Sequence, residues 1–216
     1  MSPLRRRLLS LYGDRPFAQK IFLQVRASAT PFERLACELS GSRRLLDLAC
    51  GHGLLAHFMS LADASRTVRG LDISPGRIDA ASAAAASRRG VSFGVEDIRK
   101  PLPSGYDAVS IIDSLHYFAR KEQKEILKNC RRALGEGGVL VIREGNGAGG
   151  WRHALNYVHE WLMTRLNFTQ TASGGGLYFL SVPAMRALLT EAGFSDIRVS
   201  PCPKLLPYGD TLYVCR

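Results

Sequence analysis

Asp47 and Asp72 each close a short apolar run, and each is followed by residues suited to a tight bend: Ala49-Cys50-Gly51-His52-Gly53 after the first, Ile73-Ser74 after the second. A carboxylate at the end of a buried strand needs a partner, and glycines in the bend let the backbone come close to a ligand. An acid about twenty residues beyond such a bend can accept hydrogen bonds from both hydroxyls of a ribose. Asp47, at the head of the bend, would repel a pyrophosphate and attract an amino-acid ammonium. Further along, His116 follows Asp113 and Ser114, with Tyr117 beside it. An imidazole titrates in the range that can take a proton from a hydroxyl or an activated carbon, so His116 and Tyr117 are the candidate catalytic pair. The alternative is that His116 only orients its loop or a bound cofactor.

These groups need a frame, and the hydropathy pattern supplies one. Residues 44–48, 67–73, 91–95, 106–112 and 138–143 read as buried strands, separated by helical stretches at 54–62, 74–87 and 121–134. Ser74-Pro75 places a capping residue and a first-turn proline at one helix start. Strands alternating with helices predict a doubly wound, mostly parallel sheet between two helical layers, a Rossmann-like α/β fold. Before the first strand, residues 17–39 form two helical pieces broken at Pro31, with Thr30 as a cap. At the other end a helix over 183–192 leads to strands at 197–200 and 211–215, and their connection without a helix predicts an antiparallel pair on the sheet edge.

One domain over residues 1–216 accounts for all of this, with a helical cap at 1–42 and an insert at 145–176 bounded by glycine runs. An excursion of that kind suits a cover over a site. Within it Trp151, His153 and Tyr157 could line one helical face and, with Tyr12, Phe17 and Phe22 near the start, wall a pocket for a flat or extended substrate. The same rings could simply dock the insert.

The five cysteines are scattered and odd in number, without a C-x-x-C pair, which excludes a disulfide framework and a zinc site; no metal is expected. No signal-peptide core and no apolar run of about 20 residues is present, so a cytoplasmic location is expected. The net charge of +10 favours an anionic partner such as nucleic acid, an anionic membrane surface or an acidic carrier protein.

Gly51 to Ala56 also satisfies G-x-G-x-x-G/A, the dinucleotide fingerprint, so an NAD(P)-dependent oxidoreductase competes. The whole set of motifs points elsewhere. LLDLACGHGLLA at 45–56, GLDIS at 70–74, Glu96-Asp97-Ile98, YDAVSIIDSLHYF at 106–118 and LGEGGVLVI at 134–142 resemble, in order, the motifs of class I S-adenosylmethionine-dependent methyltransferases. The tail, with Glu191-Ala192-Gly193-Phe194 and the closing residues 209–214, resembles that family's last helix and hairpin. The resemblance implies S-adenosylmethionine as cofactor and methyl transfer to a small or carrier-bound molecule: a secondary metabolite, lipid, quinone or acyl chain. On the motif positions, Asp47, Ala49, Cys50, Gly51 and Gly53 would line the methionine portion, and Asp72 would hold the ribose. Ile73 would pack on adenine, Asp97 with Ile98 would bind its amine and cover its face, and Asp113 with Ser114 would lie beside the methyl end. Core packing is the alternative for Ile73 and Ile98. Ala49 stands where the family pattern has its first glycine. Methyltransferases of exocyclic base amines carry Asn or Asp followed by Pro-Pro and an aromatic where this chain has Asp113-Ser114-Leu115-His116. Nucleic acid is therefore disfavoured, although an RNA or protein acceptor remains the alternative.

Overall fold

A computed structural model of the chain describes residues 2–86, 88–147, 176–202 and 210–216. Helices α1 (Pro3–Ser10), α2 (Phe17–Ala29) and α3 (Phe32–Glu38) precede a sheet of seven strands. The order then runs β1 (Arg44–Leu48), α4 (Leu54–Ala62), β2 (Thr67–Asp72), α5 (Pro75–Ala85), β3 (Val91–Val95) and β4 (Tyr106–Ile112). A 3-10 turn (Leu115–Tyr117), α6 (Arg120–Ala133), β5 (Leu134–Gly145), α7 (Val182–Glu191), β6 (Ile197–Pro201) and β7 (Asp210–Cys215) complete it.

Spatially the strands lie in the order β3-β2-β1-β4-β5-β7-β6. All neighbours are parallel except β7, which is antiparallel to both β5 and β6. The chain reverses direction across the sheet between β1 and β4, and crevices at such a switch point are where open α/β sheets bind ligands. The central strands are buried on both faces, which explains their nearly unbroken apolar sequences. Leu46, Leu48, Val109 and Ile111 pack in one core with Ile126, Leu127, Leu188 and Leu189 of α6 and α7. Leu45, Val68, Ala108 and Val141 pack in the other with Leu55, Phe58 and Met59 of α4 and with Leu8 and Leu35 of α1 and α3. This is the three-layer fold expected from the alternation of elements.

Some details differ from the sequence reading. Helix α1, capped by the Ser2 hydroxyl, has too few apolar positions to announce itself. Thr30 closes α2 rather than opening α3, and its hydroxyl donates to the Arg26 carbonyl at 2.9 Å. The pair is antiparallel, but β7 is inserted between β5 and β6, so of the two only β6 is an edge. The expected insert at 145–176 falls almost wholly outside the described residues, and the expected cap at 1–42 corresponds to α1 to α3. Among the described residues, no helix is long and apolar enough to cross a membrane.

An arginine is buried inside the sheet. Arg143 of β5 is fully buried, donating to Asp113 at the end of β4 at 2.7 Å and to Asp210 of β7 at 2.6 Å. Burial opposes its charge, but the two carboxylates outweigh that and hold it protonated. Because the guanidinium ties three strands together, Arg143→Met should leave two buried carboxylates without their shared cation and destabilise the fold by about 3–5 kcal/mol. Urea unfolding measures this; a loss below about 1 kcal/mol would mean that the cluster does not hold the strands together.

Candidate active site

Every strand-end acid noted in the sequence comes to the same rim of the sheet. A cleft of about 1140 Å³, counted to its open mouth, lies over the ends of β1, β2 and β4. Its floor is the bend after β1. Ala49 and Gly51 both have positive φ, 51° and 56°, and Gly53 follows at 76° before α4 begins. The two glycines serve different ends. A Cβ on Gly51 would meet nothing within 4 Å, so its surroundings are open, whereas one on Gly53 would lie 2.6 Å from the Phe93 ring. Gly53 is thus required for packing, and Ala49 tolerates a backbone conformation that most side chains avoid.

Asp72 holds this bend in place. One carboxylate oxygen accepts from the Gly51 amide at 2.8 Å and the other from the Ser74 amide at 2.9 Å. Each carboxylate oxygen can accept a second bond, so both can still meet hydroxyls in the cleft. Asp47 is almost fully buried; its Oδ1 accepts from the Ser110 hydroxyl at 2.7 Å, while Oδ2 has no hydrogen-bond partner among the described residues. Burial pushes this carboxyl up to about 7, with the Ser110 bond pulling the other way. A group left in that state is poised for a cation.

Glu96, Asp97 and Asp113 join Asp47 and Asp72 on the wall, so five carboxylates line one cleft of a chain whose net charge is +10. Arg26 and Arg77 are the basic side chains beside them, and burial lowers His52 to about 4, keeping it neutral. Above the bend, the N-terminal helices form a roof: Phe22, Leu23, Arg26 and Thr30 of α2 with Phe32 of α3 face the cleft. The Tyr12 hydroxyl donates to the His52 carbonyl at 2.6 Å, and the Phe22 ring lies 5.6 Å from the His52 ring. The roof is thereby fastened to the bend it covers.

A second cluster borders the cleft at the end of β5. One Glu144 oxygen accepts from the Ser114 amide at 2.8 Å and also from the Leu115 amide; the other is 2.7 Å from His116 Nδ1. Both side chains are buried, and the imidazole stacks on Phe179 at 4.4 Å with Tyr117 at 4.2 Å on another side. The Tyr178 amide donates to the His116 carbonyl at 2.7 Å. A carboxylate bound to Nδ1 fixes the tautomer, so Nε2 is the basic nitrogen, and it stabilises the imidazolium formed when that nitrogen takes a proton.

Residues 46–140 match the family model described as a methyltransferase domain. The chain is 27% identical over 211 residues to the 3-amino-4-hydroxybenzoate 4-O-methyltransferase of Streptomyces cremeus, covering 91% of this chain and 53% of that protein. It is 30% identical over 125 residues to the 3-hydroxy-5-methyl-1-naphthoate 3-O-methyltransferase of Streptomyces sahachiroi, covering 50% of this chain and 32% of that one. The chain thus spans between about a third and about half of the length of these relatives. Among solved structures, human N-acetylserotonin methyltransferase in complex with SAM superposes with a TM-score of 0.70 at 19% identity, over 98% of this chain and 56% of that one. The likeness is one of fold, a Rossmann-like three-layer α/β sheet.

Most of the residues singled out from sequence meet at the cleft: Asp47, Ala49, Cys50, Gly51, Asp72, Ile73, Asp97, Ile98, Asp113, Ser114 and Tyr117 all line it. Ile73 is exposed there rather than packed in the core, whereas Ile98 belongs to both wall and core. Asp97 is held by Arg99, which also reaches Glu122, so its carboxylate is already neutralised. Gly53 sits behind the wall, against Phe93. Tyr12, expected to touch substrate, instead is buried and latches the bend; Phe17 is 76% exposed on the outer face of α2, outside the cleft lining. His116 lies beside the lining, behind Tyr117, in the Glu144 cluster. Trp151, His153 and Tyr157 lie outside the described residues. Sequence reasoning passed over Glu144, Arg143, Arg26 and Arg77. Glu144 carried the same signal as Asp47 and Asp72, an acid ending an apolar run.

The raised Asp47 carboxyl has a cost in stability. A folded-state value near 7 against an ordinary 3.8 means that the folded protein is favoured while the group is protonated, and loses stability as pH climbs from about 4 through 7. Asp47→Asn removes that cost and keeps an acceptor for Ser110. Its urea midpoint should exceed the native protein's by a margin that grows between pH 5 and pH 8, by about 2–3 kcal/mol. A margin independent of pH would show that this carboxyl is not the strained group.

Proposed function

We propose that this domain binds S-adenosylmethionine in the carboxylate-lined cleft and passes its methyl group to a hydroxyl of a small aromatic acceptor. The observation that carries the reading is the buried, unpartnered Oδ2 of Asp47 beside the open face of Gly51, in a wall of five carboxylates. That wall suits a ligand carrying an ammonium and a sulfonium. Asp47 would take the ammonium and Asp72 the ribose hydroxyls, with Ile73 and Ile98 against the adenine and Asp97 and Glu96 at its edge. Asp113 and Ser114 would stand at the methyl end. S-adenosylmethionine supplies an already activated methyl group, open to in-line attack by an aligned nucleophile.

The chain's own work is then alignment and removal of one proton. His116, its Nδ1 held by Glu144, would take the acceptor's hydroxyl proton on Nε2. The Tyr117 and Phe179 rings pack on that imidazole and hold its plane. Both bacterial relatives are named for O-methylation of hydroxylated aromatic acids, and the basic surface supports an anionic acceptor, free or attached to an acidic carrier.

Calorimetry should give micromolar or tighter binding of S-adenosylmethionine and S-adenosylhomocysteine and none of NAD. Since the ammonium needs an ionised Asp47, affinity should fall as pH drops below about 7. His116→Ala should lower kcat on a hydroxybenzoate or hydroxynaphthoate acceptor by about 10²- to 10⁴-fold while leaving S-adenosylhomocysteine affinity within about threefold. No heat with either sulfur nucleoside would overturn the reading, and an undiminished kcat in His116→Ala would remove His116 as the base.

A further inference from the structure

The Glu144 bond at Nδ1 fixes one direction of the His116 ring and leaves the ring free to rotate about that bond. The Phe179 ring removes this freedom, stacked on the imidazole at 4.4 Å with 15° between the planes. Phe179 belongs to residues 177–180, which form neither helix nor strand and lead into α7. Such a segment has no ladder to hold it, so its backbone groups must find partners one by one. The Tyr178 amide donates to the His116 carbonyl at 2.7 Å, and the Leu180 carbonyl accepts from the Gly147 amide at 2.9 Å. Between them, the Tyr178 carbonyl accepts from the side-chain amide of Gln123 at 2.9 Å. The Tyr178 ring is exposed, so this residue serves through its backbone.

Gln123 joins the two sides of the stack. Its Nε2 also donates to the Phe118 carbonyl at 2.9 Å, so one hydrogen goes to the turn that carries His116 and the other to the segment that carries Phe179. The side chain is buried in the first turn of α6, and its Oε1 has no hydrogen-bond partner among the described residues. Its work is therefore done by the amide nitrogen. On its other side the segment rests on Gly147, where a Cβ would meet the Phe179 carbonyl oxygen at 2.6 Å. A reacting nitrogen must be aimed within about 10–20° to be useful, and a single hydrogen bond does not do that. Building on the reading of His116 as the base, we infer that Gln123 is a positioning residue for the transfer: through the Tyr178 carbonyl it seats Phe179 on the imidazole and so aims Nε2.

The seat can be disturbed from either side. Gln123→Leu removes the donor, Gly147→Ala displaces the segment, and Phe179→Leu keeps an apolar cover without the flat ring. Diethyl pyrocarbonate acylates any neutral imidazole it can reach, and peptide mass spectrometry reads each histidine separately. His57, fully buried in α4 against Tyr12 and Phe93, reports a general loosening of the fold, and His52 in the cleft is the accessible reference. In Gln123→Leu and Gly147→Ala, His116 should label at least about tenfold faster than in the native protein while His57 stays within about twofold. In all three variants kcat on a hydroxybenzoate should fall by about tenfold or more, with S-adenosylhomocysteine affinity within about threefold. Unchanged labelling of His116 in Gln123→Leu sinks the inference. Equal acceleration at His57 does the same, since Gln123 would then be a support of the whole fold. A native kcat in Phe179→Leu would show that the ring covers His116 without aiming it, and this too overturns the assignment. The reading beneath it is tested separately: if His116→Ala turns over as fast as the native protein, the base assignment falls, whatever the labelling shows.

Discussion

Two backbone amides, those of Gly51 and Ser74, close on the single carboxylate of Asp72. That arrangement decides the shape of the site. The Gly51 amide belongs to the bend that follows β1, and the Ser74 amide to the start of α5, so one side chain sets the distance between two βα connections. With the bend pinned, Ala49 and Gly51 stay in their positive-φ conformations and Asp47 stays buried behind them. Without it, the bend would be a loop of small residues with little to select one conformation from many. The Cys50 amide adds to the restraint by donating to the Leu71 carbonyl at 3.0 Å, and Gly70 leaves room for the Cys50 sulfur, which a Cβ there would meet at 2.8 Å. The floor of the cleft is therefore stitched to β2 as firmly as to β1.

A second organising centre lies at the end of β5, where Arg143 and Glu144 point to opposite faces of the sheet. Arg143 fixes Asp113, a non-glycine residue at φ 53°, and Glu144 gathers the Ser114 and Leu115 amides together with His116. One dipeptide thus shapes both ends of the turn that follows β4. The polar groups are buried, but each charge is met by an opposite charge or by backbone donors, which is what makes them tolerable in a low-dielectric interior.

The contrast between these two centres explains what could be read from the chain beforehand. Strands, helices and the bend were legible because their signals are local: apolar runs, a Ser-Pro helix start, small residues after an acid. The strand ends at Asp47, Asp72 and Asp113 needed no more than that. Arg143 gave no such signal, since its partners are thirty and sixty-seven residues away and an arginine closing a strand ordinarily reaches solvent. Tyr12 failed for a related reason. An aromatic near a predicted pocket was read as a ligand contact, whereas the fold uses its hydroxyl to satisfy the His52 carbonyl. Asp97 shows the same limit, because the sequence reading gave it a ligand and not its partner Arg99, two residues on.

The distribution of charge adds a consequence that no single residue displays. A strongly basic surface draws anions, while the cleft within it is lined by acids. Under the proposed reaction these two preferences meet at one point: an anionic acceptor arrives along the outer field and a cationic cofactor is retained by the inner one. Transfer of the methyl group from a sulfonium to a phenolate cancels both reacting charges, so the carboxylates no longer hold a sulfonium, while an acceptor's own carboxylate keeps its charge. The inner attraction that retains the cofactor is thereby weakened for its product, and it is weakened most where the cleft is least solvated, near Asp113 and Tyr117. Salt should screen the outer part of this field and spare the inner part, since exposed charges are shielded over about 8–10 Å and buried ones much less.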